Sequence, residues 1–162
     1  MFCSHKAPFS LETQEELQKR LGITMMSTAS ETVSLVIIDD NPLNNEYVTA
    51  ALARKGLRIF SACDPMEGLA LVYKHHPKIA IVDLALPIMT GFEVLDRIRA
   101  FDPEIQTVVI TAFHSSMSLE QVRKRNASDY LNKPVPLAVL RERVGGRIDS
   151  IIKRERDRSE ST

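Results

Sequence analysis

The sequence predicts an α/β protein built on a parallel β-sheet. Short runs rich in β-branched residues alternate along the chain with stretches of helical periodicity. The runs predicted as strands are Val33–Ile38, Leu57–Ala62, Ile79–Val82, Thr107–Ile110 and Ser128–Leu131. The first, third and fourth are nearly all apolar, which is typical of strands buried on both faces of a parallel sheet. Five strands alternating with five helices therefore favour a doubly wound fold, with helices covering both faces of the sheet.

Several of the predicted helices have recognisable first residues. The pairs Asn41–Pro42 and Asp64–Pro65 each place a capping side chain before a proline at the first helical position. Ser118, with Gln121 three residues later, predicts a capping box at the start of the fourth helix. Helices are therefore expected after the first, second and fourth strands.

The last helix is predicted from an apolar stripe at spacings of three and four residues. Its members are Leu137, Leu140, Val144, Ile148 and Ile151. Gly145 and Gly146 lie inside this helix, where each glycine costs about 1 kcal/mol relative to alanine. We therefore expect a kink or break near residue 145.

The chain is expected to comprise three segments. Residues 1–32 are an extension, with a short helix over Ser10–Leu21 followed by a linker. Residues 33–152 form the folded domain, and residues 153–162 form a charged tail. Neither flanking segment is large enough for a DNA-binding or catalytic domain. If the chain is complete, we expect it to act through the surface of its central domain.

The charge balance argues against several functions. Twenty-one Lys and Arg residues offset twenty-one Asp and Glu residues, so the formal net charge is zero. Nonspecific binding to nucleic acid or to an anionic membrane needs a basic surplus. The first residues lack the apolar core of a signal peptide, and no stretch approaches the ~18 apolar residues of a membrane span. The sequence therefore predicts a cytoplasmic protein with no direct nucleic-acid contact and no membrane span.

Polar and ionisable residues stand at the carboxyl ends of four predicted strands. Asp39 and Asp40 follow the first strand, Asp83 follows the third, Thr111 follows the fourth, and Lys133 comes soon after the fifth. In open α/β sheets the binding crevice lies at the carboxyl ends of the strands. We therefore expect these five side chains to meet in one site.

These residue types suit the transfer of a phosphoryl group. Three clustered carboxylates repel one another unless a cation lies among them, and hard oxygen ligands suit Mg²⁺. A carboxylate beside Mg²⁺ can attack a phosphoryl group and become an aspartyl phosphate. A hydroxyl and an ammonium, here Thr111 and Lys133, can hold the remaining phosphoryl oxygens. The small Ala112 leaves room for the phosphoryl group.

Four motifs carry a family resemblance. V-I-I-D-D-N, I-V-D-L-A-L-P-I-M-T-G-F-E, V-V-I-T-A and S-D-Y-L-N-K-P occur in this order within residues 33–152. Together they resemble the receiver domain of bacterial two-component response regulators, in particular the stand-alone receivers of the chemotaxis type. The resemblance implies a flavodoxin-like fold with strand order 2-1-3-4-5.

The resemblance also implies a role for each acidic residue. Asp83 would be the phosphoacceptor. Asp40 would bind Mg²⁺ directly, Asp39 would support the metal through water, and the backbone carbonyl of Ala85 would be a further ligand. The protein would therefore be a phosphoprotein, with Mg²⁺ as its cofactor.

A second group of residues is implied in binding the phosphoryl group and in switching. Lys133 would pair with Asp83 and then with the phosphoryl group, and the Lys133–Pro134 bond would be cis. Thr111 would hydrogen-bond the phosphoryl group and shift toward it. Tyr130 would turn inward as Thr111 moves.

The resemblance implies a signalling function rather than an enzyme with its own substrate. The phosphoryl donor would be a sensor histidine kinase or a phosphotransfer protein, and self-phosphotransfer and autodephosphorylation would be the only reactions. A basic surface would then dock an acidic partner or pair with itself in a homodimer. Its expected residues are Arg123, Lys124, Arg125, Tyr130 and Arg141.

Three other functions are the alternatives to a phosphorylated receiver. The domain could be a receiver-like interaction module that works without phosphorylation. A Mg²⁺-dependent phosphatase of the haloacid dehalogenase type needs D-x-D after the first strand, where this chain has D-D-N. A flavodoxin needs a hydroxyl-rich phosphate loop, which residues 40–45 (DNPLNN) lack.

Overall fold

A five-stranded parallel sheet forms the centre of the computed structural model, which describes residues 33–113 and 115–161. The strands are β1 (Val33–Ile38), β2 (Leu57–Ala62), β3 (Ile79–Val82), β4 (Gln106–Thr111) and β5 (Asp129–Asn132). Their order is β2-β1-β3-β4-β5, which confirms the predicted topology. The predicted bounds of β1, β2 and β3 are confirmed, whereas β4 is one residue longer at each end and β5 lies one residue later. The helix expected over Ser10–Leu21 lies outside the described residues.

Helices follow each strand. They are α1 (Pro42–Leu52), α2 (Pro65–His75), α3 (Gly91–Phe101), α4 (Ser116–Lys124) and α5, which runs as Leu137–Leu140, a π-helical turn Arg141–Gly145, and Gly146–Glu160. The caps expected for α1 and α2 are confirmed: Asn41 Oδ1 accepts from the Leu43 amide at 3.0 Å, and Asp64 Oδ1 accepts from the Met66 amide at 2.8 Å. Among the described residues, no helix is both long and apolar enough to cross a membrane.

The start expected for α4 is wrong. Ser115, not Ser118, is the cap, and its hydroxyl accepts from the Ser118 amide at 2.9 Å. Ser118 is buried in the first turn, and its hydroxyl lies 2.7 Å from that of Ser115. Only Ser118 has a Gln three residues later, as the capping-box pattern requires, but the path of the loop that follows β4 makes Ser115 the cap.

The irregularity expected near residue 145 takes the form of a π-helical turn. The carbonyl of Gly145 accepts a hydrogen bond at 2.8 Å from Arg54, which follows the end of α1, so a backbone group at this irregular turn has a partner. The helix does not break there and continues to Glu160, so the expected domain end at residue 152 falls within it. The apolar stripe is buried except at Leu137, which is 40% exposed.

The sheet separates two apolar layers. Alternate side chains of β1 point to opposite faces. Leu35 and Ile37 join a cluster with residues of α1 and α5, and Val36 and Ile38 join a cluster with residues of α2, α3 and α4. Strands β1, β3 and β4 are buried almost throughout, as expected for central strands. The polar groups that end these strands are therefore held at the rim of a rigid core.

Candidate functional site

The register of the sheet brings three aspartates together. Ile38 of β1 pairs with Val82 of β3, and the amide of Asp83 donates to the carbonyl of Ile38 at 3.0 Å. One carboxylate oxygen from each of Asp39, Asp40 and Asp83 lies within 4.8 Å of the others. Asp39 and Asp83 are only 6% and 5% exposed, whereas Asp40 is exposed. Buried charges so close together require a cation.

Lys133 supplies one cation to this cluster. Its Nζ lies 2.5 Å from Asp39 Oδ2 and 2.5 Å from Asp83 Oδ2. Its backbone amide donates to the carbonyl of Thr111 at 2.9 Å, which fixes the residue at the end of the sheet. Burial lowers the pKa of Lys133, but its hydrogen bonds to Asp39 and Asp83 and their negative charges outweigh burial, so that the pKa is raised. The lysine is thus held as an ammonium ion between two carboxylates.

The loop after β3 holds the other oxygen of Asp83. Asp83 Oδ1 accepts from the amide of Ala85 at 3.0 Å. Gly91, the first residue of α3, donates its amide to the carbonyl of Leu84 at 3.1 Å, which closes the loop against the strand end. A Cβ atom on Gly91 would lie 2.1 Å from the Asp83 carbonyl oxygen and 2.5 Å from Leu84 Cα. The backbone at Asp83 can therefore adopt this path only beside a glycine.

Gly91→Ala is expected to destabilise the domain by about 3 kcal/mol, because the added methyl group meets backbone atoms that no rotamer change can move. Urea unfolding measures the loss. Gly146→Ala is the matched control, since no heavy atom lies within 4 Å of its added Cβ. The control should stabilise its helix by about 1 kcal/mol. Equal effects of the two substitutions would contradict the steric argument.

Thr111 and Tyr130 are connected through one residue. Thr111 is fully buried, and its Oγ1 accepts from the amide of Phe113 at 3.1 Å. The hydroxyl of Tyr130 donates to the carbonyl of the same Phe113 at 2.8 Å. Tyr130 is half-buried against the apolar layer of α2, α3 and α4, and burial raises the pKa of its phenol. A movement of the backbone at Phe113 would therefore reach both side chains.

A cavity of about 400 Å³ opens beside the cluster. Asp39, Asp83 and Lys133 line it together with Ala112 and with apolar residues of β1, β3 and β4. The Lys133–Pro134 peptide bond on its wall is cis, as the resemblance implied. The cavity gives a small anionic group access to Asp83 and Lys133.

Two asparagines of α1, which the sequence motifs did not predict as site residues, also contact the site. Asn44 Nδ2 lies 3.3 Å from each carboxylate oxygen of Asp39. The buried Asn45 donates from Nδ2 to the carbonyl of Asp39 at 2.9 Å and to that of Ala62 at 3.2 Å. Their position in the first turn after the aspartate pair is the only signal in the sequence.

Two of the arginines expected in a basic surface contact other parts of the domain. Arg123 and Lys124 are exposed on α4, but Arg125 makes a bidentate ion pair with Asp96 of α3, at 2.8 and 3.0 Å. Arg141 points toward α1, with Nε 3.5 Å from the carbonyl of Ala51.

Another arginine of α5 approaches β5. Arg143 pairs with the buried carboxylate of Asp129, and Nε lies 3.1 Å from Oδ2. Arg143 therefore places an exposed basic residue next to the start of β5.

Comparison with known proteins agrees with this geometry. The family model described as the response regulator receiver domain matches residues 35–145. The transcriptional regulatory protein AfsQ1 of Streptomyces coelicolor is 31% identical over 129 residues, which cover 79% of this chain and 55% of that protein. Sporulation initiation phosphotransferase F of Bacillus subtilis is 24% identical over 110 residues, which cover 68% of this chain and 89% of that protein. The chain spans about half the length of the transcriptional regulators that it matches.

Solved structures show the same fold. A CheY-like receiver domain from Methanospirillum hungatei superposes with a TM-score of 0.69 at 24% identity, over 76% of this chain and 98% of the other. A Burkholderia pseudomallei response regulator with a phosphorylated aspartic acid gives a TM-score of 0.61 at 25% identity, over 67% of this chain and 65% of the other. By the match of its family model over residues 35–145, this chain belongs to the response-regulator receiver-domain family of two-component systems.

Proposed function

We propose that this domain accepts a phosphoryl group on Asp83 from a sensor histidine kinase or a phosphotransfer protein. The observation that carries the proposal is the position of Asp83, a buried carboxylate whose oxygen contacts Lys133 at the wall of an open cavity. A carboxylate oxygen of Asp83 forms the new bond to phosphorus, and the bond from phosphorus to the donor nitrogen breaks. The histidine leaves with the electron pair of that bond.

The donor set at the site fits Mg²⁺. Three carboxylates with oxygens within 4.8 Å of one another provide the hard ligands that this ion prefers. We propose that Asp40, Asp83 and the carbonyl of Ala85 hold the ion and that Asp39 supports it. When bound, Mg²⁺ offsets negative charge on the phosphoryl oxygens.

Lys133 and Thr111 are proposed to hold the phosphoryl group after transfer. Lys133 already contacts Asp83 and can donate to a phosphoryl oxygen from the same position. The Thr111 hydroxyl, which now accepts from Phe113, can turn to donate to another oxygen. Since Tyr130 hydrogen-bonds the same Phe113, its ring would change position with Thr111, and phosphorylation would shift the population toward this second arrangement.

Incubation with Mg²⁺ and acetyl phosphate tests the proposal. Intact-mass analysis is expected to show the addition of a single phosphoryl group, which a chelator prevents, and fragmentation should locate it on Asp83. Absence of an adduct would favour the interaction module that works without phosphorylation. Continuous release of phosphate from a phosphomonoester would favour the phosphatase instead.

The exposed basic residues of α4 are proposed to contact acidic groups of a second copy in the phosphorylated state. Arg123 and Lys124 are exposed in the last turn of α4. Lys124 is held by Glu120 at 2.8 Å, so Arg123 is the stronger candidate for an intermolecular contact. The proposed contact surface is thus the exposed basic end of α4, which is smaller than the set of residues expected from the sequence.

Arg123→Glu is expected to weaken self-association of the beryllofluoride-treated protein about tenfold, because the contact changes from attraction to repulsion. Sedimentation velocity across a range of protein concentrations measures this effect. Arg141→Glu serves as the control, since this arginine points toward α1. A monomeric wild-type protein, or equal association of the two variants, would rule out this homodimer.

A further inference from the structure

The side-chain amide of Asn44 contacts the carboxylate of Asp39. Its Nδ2 lies 3.3 Å from Oδ1 and 3.3 Å from Oδ2, so the donor faces both oxygens. Asn44 is half-buried and lines the same cavity as Asp39, Asp83 and Lys133. The hydrogen-bond contact between Asn44 and Asp39 therefore lies at the wall of the cavity that contains the site.

The backbone around Asn44 is anchored to the end of β1. Asn41 caps α1, and its amide donates to Asp39 Oδ1 at 2.9 Å. Asn45, the next residue, is buried and ties α1 to the carbonyls of Asp39 and Ala62. Because α1 is tied to the strand on both sides of Asn44, the amide of Asn44 is held close to Asp39.

The other side-chain donor to Asp39 is shared. Lys133 contacts Asp39 and Asp83 at the same distance of 2.5 Å. If Lys133 turns toward a phosphoryl group on Asp83, Asp39 loses part of that contact. The side-chain amide of Asn44 and the backbone amide of Asn41 would then keep the carboxylate of Asp39 oriented. A neutral amide can orient the carboxylate without repelling a nearby metal ion, whereas an ammonium group would repel it.

We propose that Asn44 is a positioning residue that orients Asp39 and thereby sets the affinity of the site for Mg²⁺. The inference rests on the proposed function, since it takes the acidic cluster to be the metal site. Groups that hydrogen-bond metal-supporting carboxylates fix their orientation, and their loss weakens metal binding by about tenfold or more. Asn44 does not contact the phosphoryl group in this scheme and acts only through Asp39.

Two variants separate the hydrogen bond from the volume of the side chain. Asn44→Ala removes the amide, and Asn44→Leu replaces it with an apolar group of similar size. Mg²⁺ titration without a phosphoryl donor, followed through backbone amide chemical shifts, is expected to give about tenfold weaker binding for both variants. Thr49→Ala, five residues further along the same helix, is the control and should bind Mg²⁺ like the wild type.

A second readout uses the rate of phosphorylation by acetyl phosphate at increasing Mg²⁺ concentration. Both Asn44 variants should need about ten times more Mg²⁺ for half-maximal rate and should recover as the concentration rises. Mg²⁺ affinity equal to that of the wild type in Asn44→Leu would overturn the inference, as would a rate that excess Mg²⁺ does not restore. Failure of the proposed function is distinguishable, because the wild type itself would then form no adduct.

Discussion

Asp83→Asn is expected to abolish the phosphoryl adduct completely. The asparagine amide has no anionic oxygen to attack phosphorus. The fold should change little, because the side-chain oxygen of asparagine can still accept from the amide of Ala85 and Lys133 keeps its contact with Asp39. Intact mass after incubation with Mg²⁺ and acetyl phosphate measures the adduct, and urea unfolding checks that the variant is folded.

Asp129→Asn is the matched control for that experiment. Asp129 is also a carboxylate with little exposure, 8% of its side chain, and it also pairs with a cation, Arg143. It is the first residue of β5 and so lies at the amino ends of the strands, whereas the acidic cluster lies at their carboxyl ends. The control should take up the phosphoryl group as the wild type does. An adduct that persists in Asp83→Asn would place the acceptor elsewhere and contradict the proposed function.

Lys133→Met is expected to destabilise the metal-free domain by about 3 kcal/mol, because two buried carboxylates lose their shared cation. The side chain of Lys133 is only 18% exposed, so solvent would compensate little of the lost charge. Saturating Mg²⁺ should restore much of the stability by supplying another cation to the same carboxylates. Urea unfolding in a chelator and in Mg²⁺ measures both effects.

Two further variants test whether the loss of stability in Lys133→Met comes from the acidic cluster. Lys124→Met removes an exposed lysine that pairs with Glu120 one helical turn away, and it should cost no more than about 0.5 kcal/mol. Asp39→Asn combined with Lys133→Met should be less unstable than Lys133→Met alone, since one of the repelling charges is gone. If Lys133→Met costs no more than Lys124→Met, the lysine does not neutralise the cluster.

Local patterns in the sequence were enough to predict most of the elements. The apolar runs of β1 and β3 end where an aspartate follows, and the predicted bounds of β1, β2 and β3 are confirmed. The proline that follows each cap restricts the backbone at the first helical position, so α1 and α2 begin where predicted. The four motifs identified the receiver family, and the family model confirms it.

Competing local signals could not be resolved in the same way. A serine can cap a helix at either position, and although the capping-box pattern favoured Ser118, the folded loop after β4 makes Ser115 the cap. The two glycines of α5 predicted an irregular helix, but its form as a π-helical turn bonded to Arg54 depends on the packing of α1 against α5.

The tertiary structure decided the individual contacts within and around the predicted site. Lys133 and Asp39 are 94 residues apart, and the parallel order of the sheet brings them into contact. The sequence by itself determined the family and the residue types at the strand ends, because periodicity and motifs reflect the local backbone. The contact of Asn44 with Asp39, the close approach of Gly91 to Asp83 and the ion pair of Arg125 with Asp96 were decided by the fold. Such contacts depend on the paths by which helices cross the sheet, which no local pattern specifies.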